Sequence, residues 1–202
     1  MQKICGDHGK TFTWEVKTKQ MGKKEAEAGG VLIEELQLPI TVEEYVREVE
    51  NQQRIIFPEA QLLPGAEKLV RHLHKHNIPI CVATGSNKSS YEMKTSKHTQ
   101  LFSLFQHAVF SSDDKEVKHG KPAPDCFLVA ARRFPDHPPP DKVLVFEDAP
   151  NGAEGGLAAG MQVVWVPDKR ADRSMLGNRV TLTLASLDEF QPEMFGLPAY
   201  GS

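Results

Sequence analysis

Three short stretches hold residues whose types and spacing suit phosphate chemistry. Thr84-Gly85-Ser86-Asn87 joins a hydroxyl to a glycine turn ahead of a helical pattern. Such a turn offers backbone amides and a favourable helix dipole to an anion. The plainer alternative is that Thr84 and Ser86 cap the helix. Gly120-Lys121-Pro122-Ala123-Pro124-Asp125 places a lysine just before a helix start, with prolines fixing the backbone on either side of Ala123. A rigidly held ammonium suits a phosphate or a buried carboxylate, although a lysine beside a turn is also ordinary surface. Glu147-Asp148 closes an apolar run with two adjacent carboxylates, which repel each other and are costly to desolvate. A hard cation such as Mg²⁺ neutralises such a pair through oxygen ligands. Asp148 as a helix N-cap before Ala149-Pro150 is the alternative, and it leaves Glu147 unexplained.

The elements that must position these groups are short apolar runs at 78–83, 108–110, 143–146, 163–166 and 180–184, alternating with helical segments. Continuous apolar runs read as strands buried on both faces, and the alternation predicts a parallel, Rossmann-like α/β sheet over residues 63–202. Ligands in such sheets bind at the carboxyl ends of the strands. The three stretches each follow their own strand and therefore converge on one edge of one sheet. Upstream, residues 1–62 read as helical and carry no strand pattern. One helix is predicted from Lys23 to Leu38, stopping before Pro39. Another opens at Thr41-Val-Glu-Glu44, a capping box, with Val42, Tyr45, Val46, Val49 and Ile56 forming one buried stripe. Ala66, Leu69, Val70 and Leu73 share a face of a further helix that ends near Asn77.

The 202 residues carry 24 Lys+Arg against 27 Asp+Glu, a net charge of −3, without the basic excess of a dedicated nucleic-acid binder. Lys17, Lys19, Lys23 and Lys24 make a short basic stretch without a stacking motif. No apolar stretch approaches the ~20 residues that span a bilayer, and the first residues lack the apolar segment of an export signal. Cys5, Cys81 and Cys126 are far apart and form no Cys-x-x-Cys pair, which reads as free thiols in a cytoplasmic protein. Cys81 lies in an apolar run and reads as a small core residue. His72 and His76 share a helix face at i,i+4; zinc is one reading, and cations near a helix C-terminus the other. Gly155-Gly156 inside a helix costs about 2 kcal/mol in propensity relative to two alanines.

Thr84, Lys121 in Gly-Lys-Pro-Ala-Pro-Asp, and Glu147-Asp148 in Phe-Glu-Asp-Ala-Pro-Asn-Gly resemble motifs two, three and four of the haloacid dehalogenase-like phosphatases with a helical cap. The likeness extends through Leu63-Pro-Gly-Ala-Glu-Lys-Leu, Met93-Lys-Thr-Ser and Phe190-Gln-Pro-Glu-Met-Phe-Gly-Leu-Pro, and so covers nearly the whole chain. The resemblance implies a Mg²⁺-dependent phosphomonoesterase acting on a small phosphorylated metabolite, nucleotide-like or a sugar phosphate. Neither nucleic acid nor membrane is implied as a partner; the oligomeric state is left open, with a monomer expected of a complete form. Thr84, with Gly85 and Ser86, would bind the phosphoryl group, Lys121 would neutralise it, and Asp148 with Glu147 would hold Mg²⁺. Residues 1–62 would be a partial helical cap, with Met21-Gly22-Lys23-Lys24 near the substrate-selecting loop, and residues 63–202 the core.

The family's first motif is a strand ending in Asp-x-Asp, which supplies the nucleophile that becomes an aspartyl phosphate and the general acid. No Asp-x-Asp occurs in these 202 residues. The expectation is therefore a core lacking its first strand, an N-terminally truncated form inactive by itself. The alternative is a non-catalytic isoform that binds phosphate ligands or regulates a full-length partner.

Overall fold

The computed structural model describes residues 1–20 and 25–201. The expected substrate-selecting segment, Met21 to Lys24, lies outside them. The chain divides into two compact units, Met1–Glu59 and Ala60–Ser202.

The first unit is helical: α1 Gln2–Asp7, α2 Trp14–Gln20, α3 Glu25–Leu36 and α4 Val42–Ile56. Helix α3 ends where Gln37 turns left-handed (φ 49°), and the Leu38 amide reaches back to Ile33 O at 3.0 Å. That six-to-one bond closes the helix before Pro39 can interrupt it. The capping box of α4 is present, with Thr41 accepting from the Glu44 amide and Glu44 from the Thr41 amide. Tyr45 and Val49 join Ile4, Cys5, Val16 and Leu32 in the unit's core. Ile56 does not: it is 59 % exposed at the last turn, where the apolar stripe runs out of neighbours.

The second unit is a parallel α/β fold. Its elements are α5 Ala66–Lys75, β1 Cys81–Thr84, α6 Lys88–Thr95, α7 Thr99–Phe102, β2 His107–Phe110, α8 Asp125–Arg132, β3 Leu144–Glu147, α9 Pro150–Ala158, β4 Gln162–Trp165 and β5 Leu182–Thr183. All five predicted apolar runs contain a strand. The first begins three residues late, because Asn77 caps α5 with φ 56° and Pro79 has no amide to give a ladder.

The strands form two ladders rather than one continuous sheet. β1 pairs with β2, with Cys81 opposite His107; β3 pairs with β4 and β4 with β5, with Leu144 opposite Gln162 and Val164 opposite Leu182. All pairs are parallel, yet β1 and β3 share no ladder. Between them lies an apolar slot of about 460 Å³, walled by Leu69 and Leu73 of α5 and by Phe127 and Ala131 of α8. Interiors seldom hold voids beyond the size of a water molecule, so this is not a packing flaw of ordinary scale. The slot explains why every residue of β1 is half-buried, where a strand covered on both faces and both edges would be fully buried.

Helix α9 packs closely on β3 and β4. A Cβ on Gly156 would lie 2.9 Å from Val163 Cγ2 and 3.3 Å from Val145 Cγ1. A Cβ on Gly152 would collide with the Glu147 carboxylate. The glycines that weaken α9 as a helix are what allow it to approach the sheet.

Near the C-terminus the chain folds back on α5. His72 Nε2 lies 2.8 Å from Pro198 O, and its ring packs against Tyr200 with centroids 4.6 Å apart. His72 is thus committed to the fold. Among the described residues no group of three or more His, Cys, Asp or Glu could hold a metal ion, so no further ligand of these types joins His72 and His76 there.

Candidate functional site

A cavity of about 280 Å³ opens at the carboxyl ends of β1 and β3. Thr84 is the last residue of β1 and Glu147 the last of β3, with Asp148 next in the chain. Lys121 comes from the loop between β2 and α8. The Asp125 carboxylate steadies that loop by accepting from the Lys118 and His119 amides at 2.9 Å each. Those bonds, the His119 amide first, hold Asp125 below the usual carboxylate range. The Lys121–Pro122 peptide is cis. Thr84, Lys121, Glu147 and Asp148 line one cavity, with Leu63 and Phe146 among its apolar walls.

Lys121 and Glu147 form an ion pair, their side chains 11 % and 10 % exposed. Lys121 Nζ also donates to Ala83 O at 3.0 Å and sits 4.6 Å from the centre of the Phe127 ring. The ammonium therefore bridges β1 and β3 at the mouth of the slot. Burial pushes the Glu147 carboxyl above its ordinary range; Lys121 pulls it partly back, and neighbouring Asp148 raises it again. Asp148 itself is exposed, and its backbone carbonyl accepts from Trp165 Nε1 at 3.0 Å.

Gly85 and Ser86 are placed differently from the expectation, since neither lines the cavity. The Ser86 amide donates to Thr84 Oγ1 at 3.1 Å, so the hydroxyl and amide proposed for an anion serve each other. The amides opening α6 are also engaged. Ser90 N donates to Asn87 Oδ1 and Lys88 N to Asp113 Oδ2, each at 2.7 Å. The carboxylate of Asp113 thus meets the first amide of α6 from 25 residues away.

Sequence reasoning did not single out Lys94 as a site residue. Its Nζ donates to Ser86 Oγ at 3.0 Å, and burial lowers its pKa. The signal was its place one helical turn past Ser90 on α6, facing back to the turn after β1.

The arrangement gives one hydroxyl, one ammonium and two carboxylates around a cavity open to solvent. A Mg²⁺ site commonly uses one or two carboxylates and completes its shell with water and substrate phosphate. Glu147 and Asp148 are oxygen donors of the kind such a site uses, Asp148 exposed and Glu147 paired with Lys121.

The family model for haloacid dehalogenase-like hydrolase matches residues 8–160. Among curated relatives, the Probable pseudouridine-5'-phosphatase of Drosophila melanogaster is 48 % identical over 98 % of this chain and 85 % of its own length. The mitochondrial (DL)-glycerol-3-phosphatase 1 of Arabidopsis thaliana is 47 % identical over 98 % of this chain and 67 % of its own. Among solved structures, a HAD family hydrolase from Deinococcus radiodurans with bound phosphate and sodium superposes with a TM-score of 0.76. It is 19 % identical and covers 98 % of this chain and 88 % of that one. At that identity the likeness is one of fold.

Proposed function

The chain belongs to the haloacid dehalogenase-like hydrolases, and from that membership we propose that it carries the phosphate-handling centre of a Mg²⁺-dependent phosphomonoesterase. The observation behind the proposal is the convergence of Thr84, Lys121, Glu147 and Asp148 on one cavity from three separate segments of the chain. Thr84 Oγ1 would hydrogen-bond a phosphoryl oxygen, and Lys121 Nζ would offset its charge. Preorganised donors of this kind act most strongly where charge develops in the transition state. Glu147 and Asp148 would hold Mg²⁺, which when bound supplies electrostatic stabilisation of phosphoryl oxygens.

The substrate class we propose is a small phosphate monoester, nucleotide-like or derived from a sugar or polyol. The relatives named for pseudouridine 5'-phosphate and for glycerol 3-phosphate support it. The helical unit Met1–Glu59 is proposed as the cap that selects among them, and the cytoplasm as the compartment. The phosphate found in the Deinococcus relative supports a phosphate site in the shared fold.

Two observations favour a second reading, in which the chain binds phosphate esters without turning them over. The carboxylate nearest Lys121 is held by it as an ion pair, and the sequence contains no Asp-x-Asp. Calorimetric titration with inorganic phosphate in millimolar Mg²⁺, together with phosphate release from pseudouridine 5'-phosphate, glycerol 3-phosphate and an aryl phosphate, separates the two. Binding with turnover supports the enzyme, binding without turnover supports the second reading, and the absence of binding removes both.

A further inference from the structure

We propose that Lys94 is a positioning residue for Thr84: by gripping the Ser86 hydroxyl it keeps the Ser86 amide on Thr84 Oγ1 and turns the Thr84 proton toward the phosphoryl group. That last step rests on the site reading above; the grip does not. Thr84 closes β1 and lines the cavity. A hydroxyl carries one proton and two lone pairs. The Ser86 amide donates to Thr84 Oγ1 at 3.1 Å, and so takes a lone pair and leaves the proton. Among the described residues no hydrogen-bond acceptor takes that proton.

Whatever fixes the Ser86 amide therefore aims the Thr84 proton. Packing at the turn does not fix it, since a Cβ on Gly85 would meet nothing within 4 Å. Asn87, not Ser86, is the N-cap of α6, its Oδ1 accepting from the Ser90 amide. The Ser86 hydroxyl is thus released from capping, and it accepts from Lys94 Nζ at 3.0 Å. Ser112 Oγ donates to Gly85 O at 2.9 Å, the carbonyl of the same peptide whose amide meets Thr84. Ser112 holds one end of that peptide, and Lys94 holds the residue at the other. Among the described residues only Lys94 bonds the Ser86 hydroxyl.

Lysines on helices ordinarily reach into water. Lys94 instead turns back along α6 toward the turn after β1; it is half-buried, and burial lowers its pKa. An ammonium taken from water is tolerated where it is hydrogen-bonded. Lys121 makes a similar contact on the other side of Thr84, its Nζ donating to Ala83 O at 3.0 Å. Two ammoniums from different segments therefore hold the chain at Ala83 and at Ser86, with Thr84 between them.

Residue-resolved amide exchange on the full chain, with no ligand present, tests the grip. Lys94→Met should speed exchange at Ser86 by on the order of tenfold, while Ser90 and Tyr91, bonded at the start of α6, keep their rates. Ser86→Ala, which removes the acceptor and leaves Lys94, should speed the amide at position 86 likewise, and Lys94→Arg should restore it. An unchanged Ser86 rate in Lys94→Met, or equal acceleration along α6, would overturn the proposal. Calorimetric titration with inorganic phosphate in millimolar Mg²⁺ reads the consequence. Lys94→Met should weaken binding by about tenfold in the unsubstituted chain and have no further effect in Thr84→Val. An equal loss in both backgrounds would show that Lys94 acts by its charge alone, and would also overturn the proposal. If the unsubstituted chain binds no phosphate, the site reading and the aim at a phosphoryl group fail together, while the exchange rates still decide the grip on Thr84.

Discussion

Lys121 and Glu147, 26 residues apart in sequence, meet as an ion pair between the two ladders of the sheet, shielded almost wholly from water. Neither residue is an ordinary surface charge. Removing one partner of a buried pair leaves the other uncompensated, at a cost of about 3–5 kcal/mol.

Lys121→Ala should therefore destabilise the chain by an amount in that range, and the loss should depend on pH. Glu147 already titrates above its ordinary value because it is buried, and without the ammonium it should titrate higher still. A raised carboxyl contributes stability that is fully present below its unfolded pKa and lost as pH rises through the folded one. The deficit of Lys121→Ala should thus be small in acid and grow toward neutrality. Adding Glu147→Gln should flatten that dependence. Chemical denaturation between pH 4 and 8 reads both; a pH-independent deficit would contradict the pairing.

Asp148→Asn should leave the melting temperature within the range of ordinary surface substitutions, about 0.5 kcal/mol, because the side chain is exposed. It should nevertheless remove the effect of Mg²⁺ on phosphate affinity. Titration of inorganic phosphate with and without the metal makes the comparison, and chelation of Mg²⁺ should reduce the unsubstituted chain to the level of the variant.

Two glycine-to-alanine substitutions should have opposite signs. Gly30 lies within α3, and a Cβ added there would meet nothing within 4 Å, so alanine should stabilise by about 0.5–1 kcal/mol. At Gly156 the same Cβ meets Val163 and Val145, and overpacking should destabilise by about 1–3 kcal/mol. Thermal unfolding of the two variants side by side is sufficient.

On the second reading the chain alone should release no phosphate from an aryl phosphate above the buffer rate, since Thr84, Lys121 and Asp148 supply electrostatics and Glu147 is tied up by Lys121. Robust turnover that disappears in Asp148→Asn would show that a nucleophile is at hand and would decide for the enzymatic reading.

Much of this site was legible because Thr84 and Glu147 stand where apolar runs stop, and a parallel sheet brings those ends together. Lys121 was legible from its prolines. Its partner was not: an adjacent Glu147-Asp148 reads as a cation site, and sequence spacing does not reveal that a lysine 26 residues earlier neutralises the inner carboxylate. That Gly85 and Ser86 stand outside the cavity lining, and that Asp113 meets the first amide of α6 from 25 residues away, is likewise not written in the local sequence. Gly155-Gly156 looked like a local weakness, because helix propensity is read one residue at a time whereas close approach to Val163 is a tertiary fact. The strands were legible from their apolar runs, which say where strands lie and not which edges meet; only the resemblance, whose first strand these residues lack, gave a reason to expect a gap in the pairing.

Cys81 sits on the open edge of β1, and its apolar surroundings push its thiol up to about 12. Cys5 and Cys126 are fully buried. At pH 7 a thiol of that strength is ionised in only about one molecule in 10⁵, so oxidants and alkylating reagents should leave this protein largely untouched despite its three free sulfurs. What slow labelling occurs should come from Cys81, and anything that fills the space beside β1 should silence it. A single sulfur atom thus doubles as a built-in reporter of occupancy in the centre of the sheet.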